Sequence, residues 1–411
     1  MAGGWMGRRD LLRAGAAGIV TACAGCFGPE KDGVYALSRT DGSKRWVTTL
    51  GAVDGGPTLF DDTIVVGSGT TVSALATTDG EERWSYDVEF EYTNDIKDPI
   101  LVDETLLVPA GKELYALSAA DGSEQWTVAG DAEMWLLPRP VDGTVVVGAG
   151  KEQLRGISLE DGSERWTYEG GALDRNAATV ADATAFVGSR NGRVIAIDVT
   201  DGSERWTFDT EKPVRGGMAV HSGHVYPSTT GNRVYALTTG DGTERWQWKA
   251  PAGGEIMPLG ASWPSTMGLG QSLYAAYAGR LFALSTSDGT EQWRTVTELT
   301  SMVLQQSGDT IFVTGDGLSD TGGGNSGAAS YGSLQAFRQR DGRERWSETF
   351  TEDLEHPPII AENTVFAGTE EGMVHAFEKR DGSEAWTFET ETGRQPGVVL
   401  DGDTVYVGTL R

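Results

Sequence analysis

The chain has 411 residues, 57 of them glycine, and carries 60 aspartates and glutamates against 33 lysines and arginines, a formal net charge of −27. Such a surface repels nucleic-acid phosphates, which speaks against a DNA- or RNA-binding role. The glycine content suits many short strands and turns better than long helices, and acidity spread along the whole sequence fits molar salt, where a Debye length of about 3 Å screens self-repulsion.

In chain order, the first element is an address. Arg8-Arg9, then Leu11-Leu12 and a modestly apolar stretch to Ala22, have the form of a twin-arginine export signal. Arg13 interrupts the apolar run, which is too short to span a bilayer. Small residues before a cysteine make two overlapping lipoboxes, Val20-Thr21-Ala22-Cys23 and Cys23-Ala24-Gly25-Cys26. The Ala-Gly-Cys-Phe-Gly context resembles haloarchaeal lipoproteins, so Cys26 is the expected lipidation site, with Cys23 as the alternative. These are the only two cysteines, so the body has neither a disulfide nor thiol chemistry, and no second Cys pair completes a zinc site. The expected layout is a signal over 1–26, a linker over 27–33 and one domain over 34–411. An exported chain, lipid-anchored at the outer face of the cytoplasmic membrane, is implied.

From residue 34 onward one phrase recurs, as in "TDGSERWTF" (200–208). Its Asp falls at 41, 79, 121, 161, 201, 241, 288, 341 and 381, and its Trp at Trp46, Trp84, Trp126, Trp166, Trp206, Trp246, Trp293, Trp346 and Trp386. A period near 40 residues with several strands per unit is the mark of propeller blades. In the unit ending at Trp206, "NAATV", "AFVG", "RVIAID" and "ERWTF" read as four strands, with "ADAT" a tight turn between the first two. Asp-Gly reads as a two-residue hairpin turn, both residues tolerating positive φ. The Trp occupies a strand position from which its face can pack between blades, so the phrase reads as scaffold. The chain enters at a third strand and leaves after a second, so its ends complete one shared blade and close the sheet edges. The expected fold is all-β: a propeller of eight or nine four-stranded antiparallel blades, nine by repeat count, or eight, the usual number, with one unit displaced.

"VYVG" (405–408), "VYAL" (34–37 and 234–237), "LYAL" (114–117) and the nine Trp motifs together resemble the PQQ-like repeat family of quinoprotein-type β-propellers. The resemblance spans essentially all of 34–411 and implies the fold more firmly than an activity, because the family holds both dehydrogenases and non-catalytic lipoproteins such as outer-membrane assembly factors. Dehydrogenases of that kind often stack the quinone on a vicinal disulfide over a Trp, with Glu, Asn and Asp on a calcium ion. Here no cysteine can supply that disulfide, no metal-binding acid and amide can be placed, and no C-x-x-C-H haem motif occurs. A non-catalytic binding or scaffolding propeller without cofactor is therefore expected. The alternatives are a dehydrogenase with PQQ and calcium, and a lectin-like surface receptor.

Two insertions, 251–267 and 316–332, enlarge the face that carries the second-to-third-strand loops and the blade-to-blade connections. Long loops on a rigid scaffold are where binding concentrates. With other departures from the repeat, they nominate Tyr92, Trp135, Arg175, Arg215, Trp263 and Arg394 as a binding face for a protein or small molecule on a monomeric chain. "HSGH" (221–224) occupies a hairpin turn and reads as that rather than as a metal pair; "DGLSDTGGGNSG" (316–327) lacks the spacing of a calcium loop. No phosphate loop and no G-x-S-x-G elbow is present. No catalytic or metal-binding residue is assigned.

Overall fold

Each repeat folds into four short antiparallel strands, because apolar runs of about six residues alternate with turns that only glycine, aspartate or asparagine accommodate well. In the repeat ending at Trp206 the strands are Leu173–Ala181, Thr184–Ser189, Arg193–Asp198 and Glu204–Asp209, hydrogen-bonded in that order. Nine such sheets stand in a ring as a nine-bladed β-propeller, with no helix among the described residues. This computed structural model describes residues 32–89, 96–130, 136–149, 152–215, 217–251, 265–277, 279–297, 299–318, 330–354, 357–390 and 396–410. The chain divides into two units, 1–30 and 31–411, the first lying wholly outside the described residues.

One blade is shared by the two ends of the repeat array. Gly33–Ser38 pairs on one side with Lys44–Thr49 and on the other with Thr404–Thr409, which pairs in turn with Pro396–Asp401. Counting this closing blade as the first, the ring holds nine blades and not eight. First strands of neighbouring blades lie against one another around the axis, and fourth strands form the rim. Second and third strands are almost wholly buried. The apolar core is consequently divided: among the described residues there are nine clusters, each filling one blade-to-blade interface.

The turns correct one expectation. The two-residue turn with both residues at positive φ lies between first and second strands, as at Asp182 (48°) and Ala183 (54°). The repeated Asp-Gly turn is longer. Ser38 N–H donates to Ser43 O at 2.8 Å and Gly42 N–H to Ser38 O at 2.9 Å, so residues 39–42 form the loop. Only Gly42 has positive φ, at 68°. Asp41 is present for its carboxylate, which accepts from the Ser43 hydroxyl at 2.7 Å and the Ser43 N–H at 3.1 Å. The hydroxyl bond is the main reason its carboxyl stays below the usual range. At Ala183 the Cβ carries the cost of the left-handed region. Ala183→Gly is expected to stabilise the protein by about 1 kcal/mol, read as a raised denaturation midpoint; an unchanged midpoint would show the turn unstrained.

The rest of the recurrent phrase ties blades together. Each turn glycine lies against the indole of the preceding blade: Gly80 on Trp46, Gly122 on Trp84, and so round to Gly42 on Trp386. The indole N–H donates across the same interface, from Trp206 to Thr239 O at 2.9 Å and from Trp386 to Arg39 O at 2.9 Å. The arginine before the Trp reaches its own blade's first turn, as Arg205 Nη1 does to Thr184 Oγ1 at 2.6 Å. The glutamate accepts from a tyrosine of the preceding blade, Tyr168 Oη to Glu204 Oε2 at 3.1 Å. Burial first, and then this carboxylate, push the Tyr168 hydroxyl up to about 12. In the copy at 200–208 the polar and aromatic side chains thus find partners within their own blade or an adjacent one.

Candidate binding face at the mouth of the ring

Blade-to-blade connections descend on one side of the ring toward the first strands. Each of several connections plants one aliphatic residue there: Val53, Ile96, Leu173, Val214, Leu299 and Leu354 are all at most 5 % exposed. The residue after five of these is charged: Asp54, Lys97, Asp174, Arg215 and Glu355, the last outside the described residues. Burying the aliphatic side chain holds its neighbour toward the mouth of the ring, so packing sets where the charges stand.

Polar bonds lace these connections across blade boundaries. Gly56 N–H donates to Asp98 Oδ1 at 2.7 Å, and Thr58 Oγ1 to Pro99 O at 2.6 Å. Glu152 accepts from Arg190 Nη2 at 2.5 Å and from the Ala172 N–H. The Ala172 N–H, ahead of Arg190, holds the Glu152 carboxyl below the usual range. Arg215 Nε stands 3.7 Å from Asp174 Oδ2, and its backbone N–H and C=O bond Ser228 at 3.1 and 3.0 Å. The Arg190–Glu152 pair, half exposed, contributes at most about 1 kcal/mol, so it orients the face more than it stabilises it.

The eighth blade rises above the others. Its strands Leu299–Ser307, Thr310–Leu318 and Ser330–Arg338 have nine residues where most have six. Three further residues lift the hairpin by about 10 Å, on the side opposite the Asp-Gly turns. Gly332 and the segment after the fourth strand brace its base, Gly332 N–H to Glu352 O at 2.7 Å and Phe350 N–H to Gly332 O at 2.8 Å. Part of the insertion 316–332 is therefore extended ladder.

Of the nominated residues, Arg215 is seen at this mouth, paired to Asp174. Arg175 lies in the first strand of the fifth blade, Leu173–Ala181. Tyr92, Trp135, Trp263 and Arg394 lie outside the described residues, as do Arg8, Arg9, Cys23 and Cys26. Asp98, Glu152, Asp174 and Arg190 were not singled out from sequence. The readable signal is an aliphatic residue six to twelve positions after six of the nine motif Trp residues, with a polar residue behind it.

His221 and His224 face one another across the turn Ser222-Gly223, but on the opposite side of the ring. His221 Nε2 bonds Gly270 O at 2.8 Å and His224 Nδ1 bonds Ser222 O at 2.9 Å, so the histidines serve the turn. No group of three or more His, Cys, Asp or Glu able to hold a metal occurs among the described residues. The first strands differ in character: Ile100–Val102 and Ile359–Ile360 are wholly aliphatic, whereas Leu173–Ala181 has the sequence LDRNAATVA. Neither cysteine of the sequence lies among the described residues, so no disulfide stands at this mouth.

Solved structures share this fold. The crystal structure of BamB from Moraxella catarrhalis is 20 % identical, with 70 % of this chain and 89 % of that one aligned at a TM-score of 0.51. A quinohemoprotein alcohol dehydrogenase from Comamonas testosteroni is 15 % identical over 92 % and 72 %, at 0.56. The computationally designed Ika8 protein is 13 % identical over 81 % and 95 %, at 0.57. No curated relative matches the sequence. The family described as "Outer membrane protein assembly factor BamB" matches three overlapping stretches, 30–181, 169–309 and 278–411, which together take in the whole ring. With its repeats, its ring closure and this match, the chain belongs to the BamB-type PQQ-repeat β-propeller family.

Proposed function

We propose that this protein is a non-catalytic binding and scaffolding propeller of the cell envelope, which docks a protein partner on the face bearing the raised eighth blade. The observation that carries the reading is the asymmetry of the ring. Among the described residues the eighth blade carries the lengthened hairpin on the connection face, and the strand ends that flank the two longest insertions of the sequence, 252–264 and 319–329, lie on that same face. Similarity to an assembly-factor family supports a role for that face in protein contacts. The leader supports the location: Arg8-Arg9 would direct export of the folded chain, and Cys26, or Cys23 in the other frame, would carry the lipid that holds it at the membrane. Replacing Arg8 and Arg9 by lysine is expected to leave precursor in the cytoplasm; unchanged processing and surface display would remove the export reading.

The dehydrogenase alternative rests on the fold shared with the alcohol dehydrogenases. The test uses residues 27–411 in molar salt with PQQ and calcium. No quinone absorbance is expected to survive dialysis, and no dye-linked oxidation of alcohols or sugars is expected. Stoichiometric retention with turnover would overturn the binding-scaffold reading. Excising 319–329 and 252–264 in favour of short turns should abolish capture of the envelope partner while leaving the melting transition in place.

A further inference from the structure

The nine Asp-Gly turns form an internal control: identical in scaffold duty, they should differ only where something other than the scaffold acts. Seven of the nine carry Ser or Thr directly after the glycine, as at Ser43, Ser203 and Thr290, bonding the turn aspartate. The eighth turn does not. Its sequence Arg338-Gln-Arg340-Asp341-Gly-Arg343-Glu-Arg345 has arginine at three positions that other turns give chiefly to Ser, Thr or Ala. In a chain of net charge −27, gathering basic residues at one turn runs against the trend of the whole surface.

The three guanidinium groups converge. Around Asp341 Oδ2 stand Arg338 Nη2 at 2.6 Å, Arg343 Nε at 3.8 Å and Arg340 Nε at 3.9 Å. One carboxylate faces three cations. Arg338 uses it bidentately, its Nε also donating to Oδ1 at 2.7 Å. The Arg340 and Arg343 side chains remain 73 % and 79 % exposed. With Arg345, held to Asp309 at 2.5 Å, they line a cleft of about 450 Å³. A second cleft of about 440 Å³ shares Asp309 and Arg345 and reaches Lys379 and Arg380 of the ninth blade.

The geometry points to an oxyanion site at the eighth Asp-Gly turn, in which Arg340 and Arg343 clamp a tetrahedral dianion, phosphate or sulfate, free or as an ester. Planar forks converging from two sides suit a ligand whose oxygens radiate from one centre. Asp341 keeps the forks gathered, and with Asp309 and Glu344 also at the cleft the four arginines leave a net positive charge of one. The site lies on the face opposite the proposed partner surface and stands independently of that reading.

Arg340→Thr with Arg343→Ser restores what the other turns carry, as at Thr200 and Ser203, so this variant is expected to fold as the wild type does. Titration calorimetry with inorganic phosphate and with sulfate, at constant ionic strength in chloride, should show binding to the wild type and at least about tenfold weaker binding to the variant, the loss expected for charge-assisted bonds. Arg245→Ser with Arg280→Ser, equal in charge but remote, should bind as the wild type. Vesicles of phosphatidic acid in phosphatidylcholine separate the sources: capture that the restoring variant loses assigns a lipid headgroup, and no capture beside retained phosphate binding assigns the free ion. Absence of binding to the wild type, or equal losses in the restoring and remote variants, would overturn the site.

Discussion

Trp206→Ala is expected to destabilise the ring by about 3 kcal/mol or more, with loss of cooperativity at the interface of the fifth and sixth blades. Trp206 is 9 % exposed, packs with Phe186 at 5.8 Å between ring centroids, and donates its N–H to Thr239 O. Its indole also forms the surface on which Gly242 rests, where an added Cβ would lie 2.5 Å from the ring. Gly242→Ala meets that clash and the strain of φ 70°, and should cost a comparable amount. Because the two residues make one contact, the double variant should lose clearly less than the sum of the singles. Chemical denaturation of the four proteins measures this. Strict additivity, or a neutral Trp206→Ala, would mean that the indole is not the interblade latch.

Deleting the chain from Pro396 onward is expected to have the larger effect: no stable monomeric ring, and aggregation at ordinary concentrations. The deletion removes both inner strands of the closing blade. Val405, Tyr406, Val407 and Leu410 leave two interface clusters at once, and Gly33–Ser38 loses the partner that hydrogen-bonds it from Val34↔Gly408 to Ser38↔Thr404. An unpaired apolar strand edge is a template for association. Size-exclusion chromatography and thermal melting of the truncated chain test the point, and a peptide of residues 396–410 added in trans should restore part of the transition. A truncated monomer with an unchanged midpoint would show that the ring does not depend on this closure.

Much of the architecture was legible in the sequence because each blade is a local object. The spacing of Asp-Gly and Trp, the alternation within "RVIAID", and the complementary half-blades at the two ends lead to the nine-bladed count without any structure. Repeat count gives nine where eight is usual; the nine sheets, closed by the pairing of Gly33–Ser38 with Thr404–Thr409, settle the number at nine. The Asp-Gly dipeptide by itself reads as a two-residue turn, whereas the loop length depends on where the strand ladder ends, at Ser38 and Ser43, which the dipeptide alone does not reveal. The mouth was only partly legible. Arg215 stood out as a departure from the repeat, whereas its partner Asp174 looked like one more carboxylate among 60 acidic residues.

What the sequence determined by itself was the repeating unit, its strand order and the closure, since turns and hydrophobic alternation act over a few residues. Only the tertiary structure decided which residues of different blades meet: the glycine of one turn on the tryptophan of the preceding blade, Asp174 beside Arg215, and three arginines about Asp341. Those meetings follow from the stacking of each blade on the next. Ring closure sets that stacking, and no local pattern encodes it.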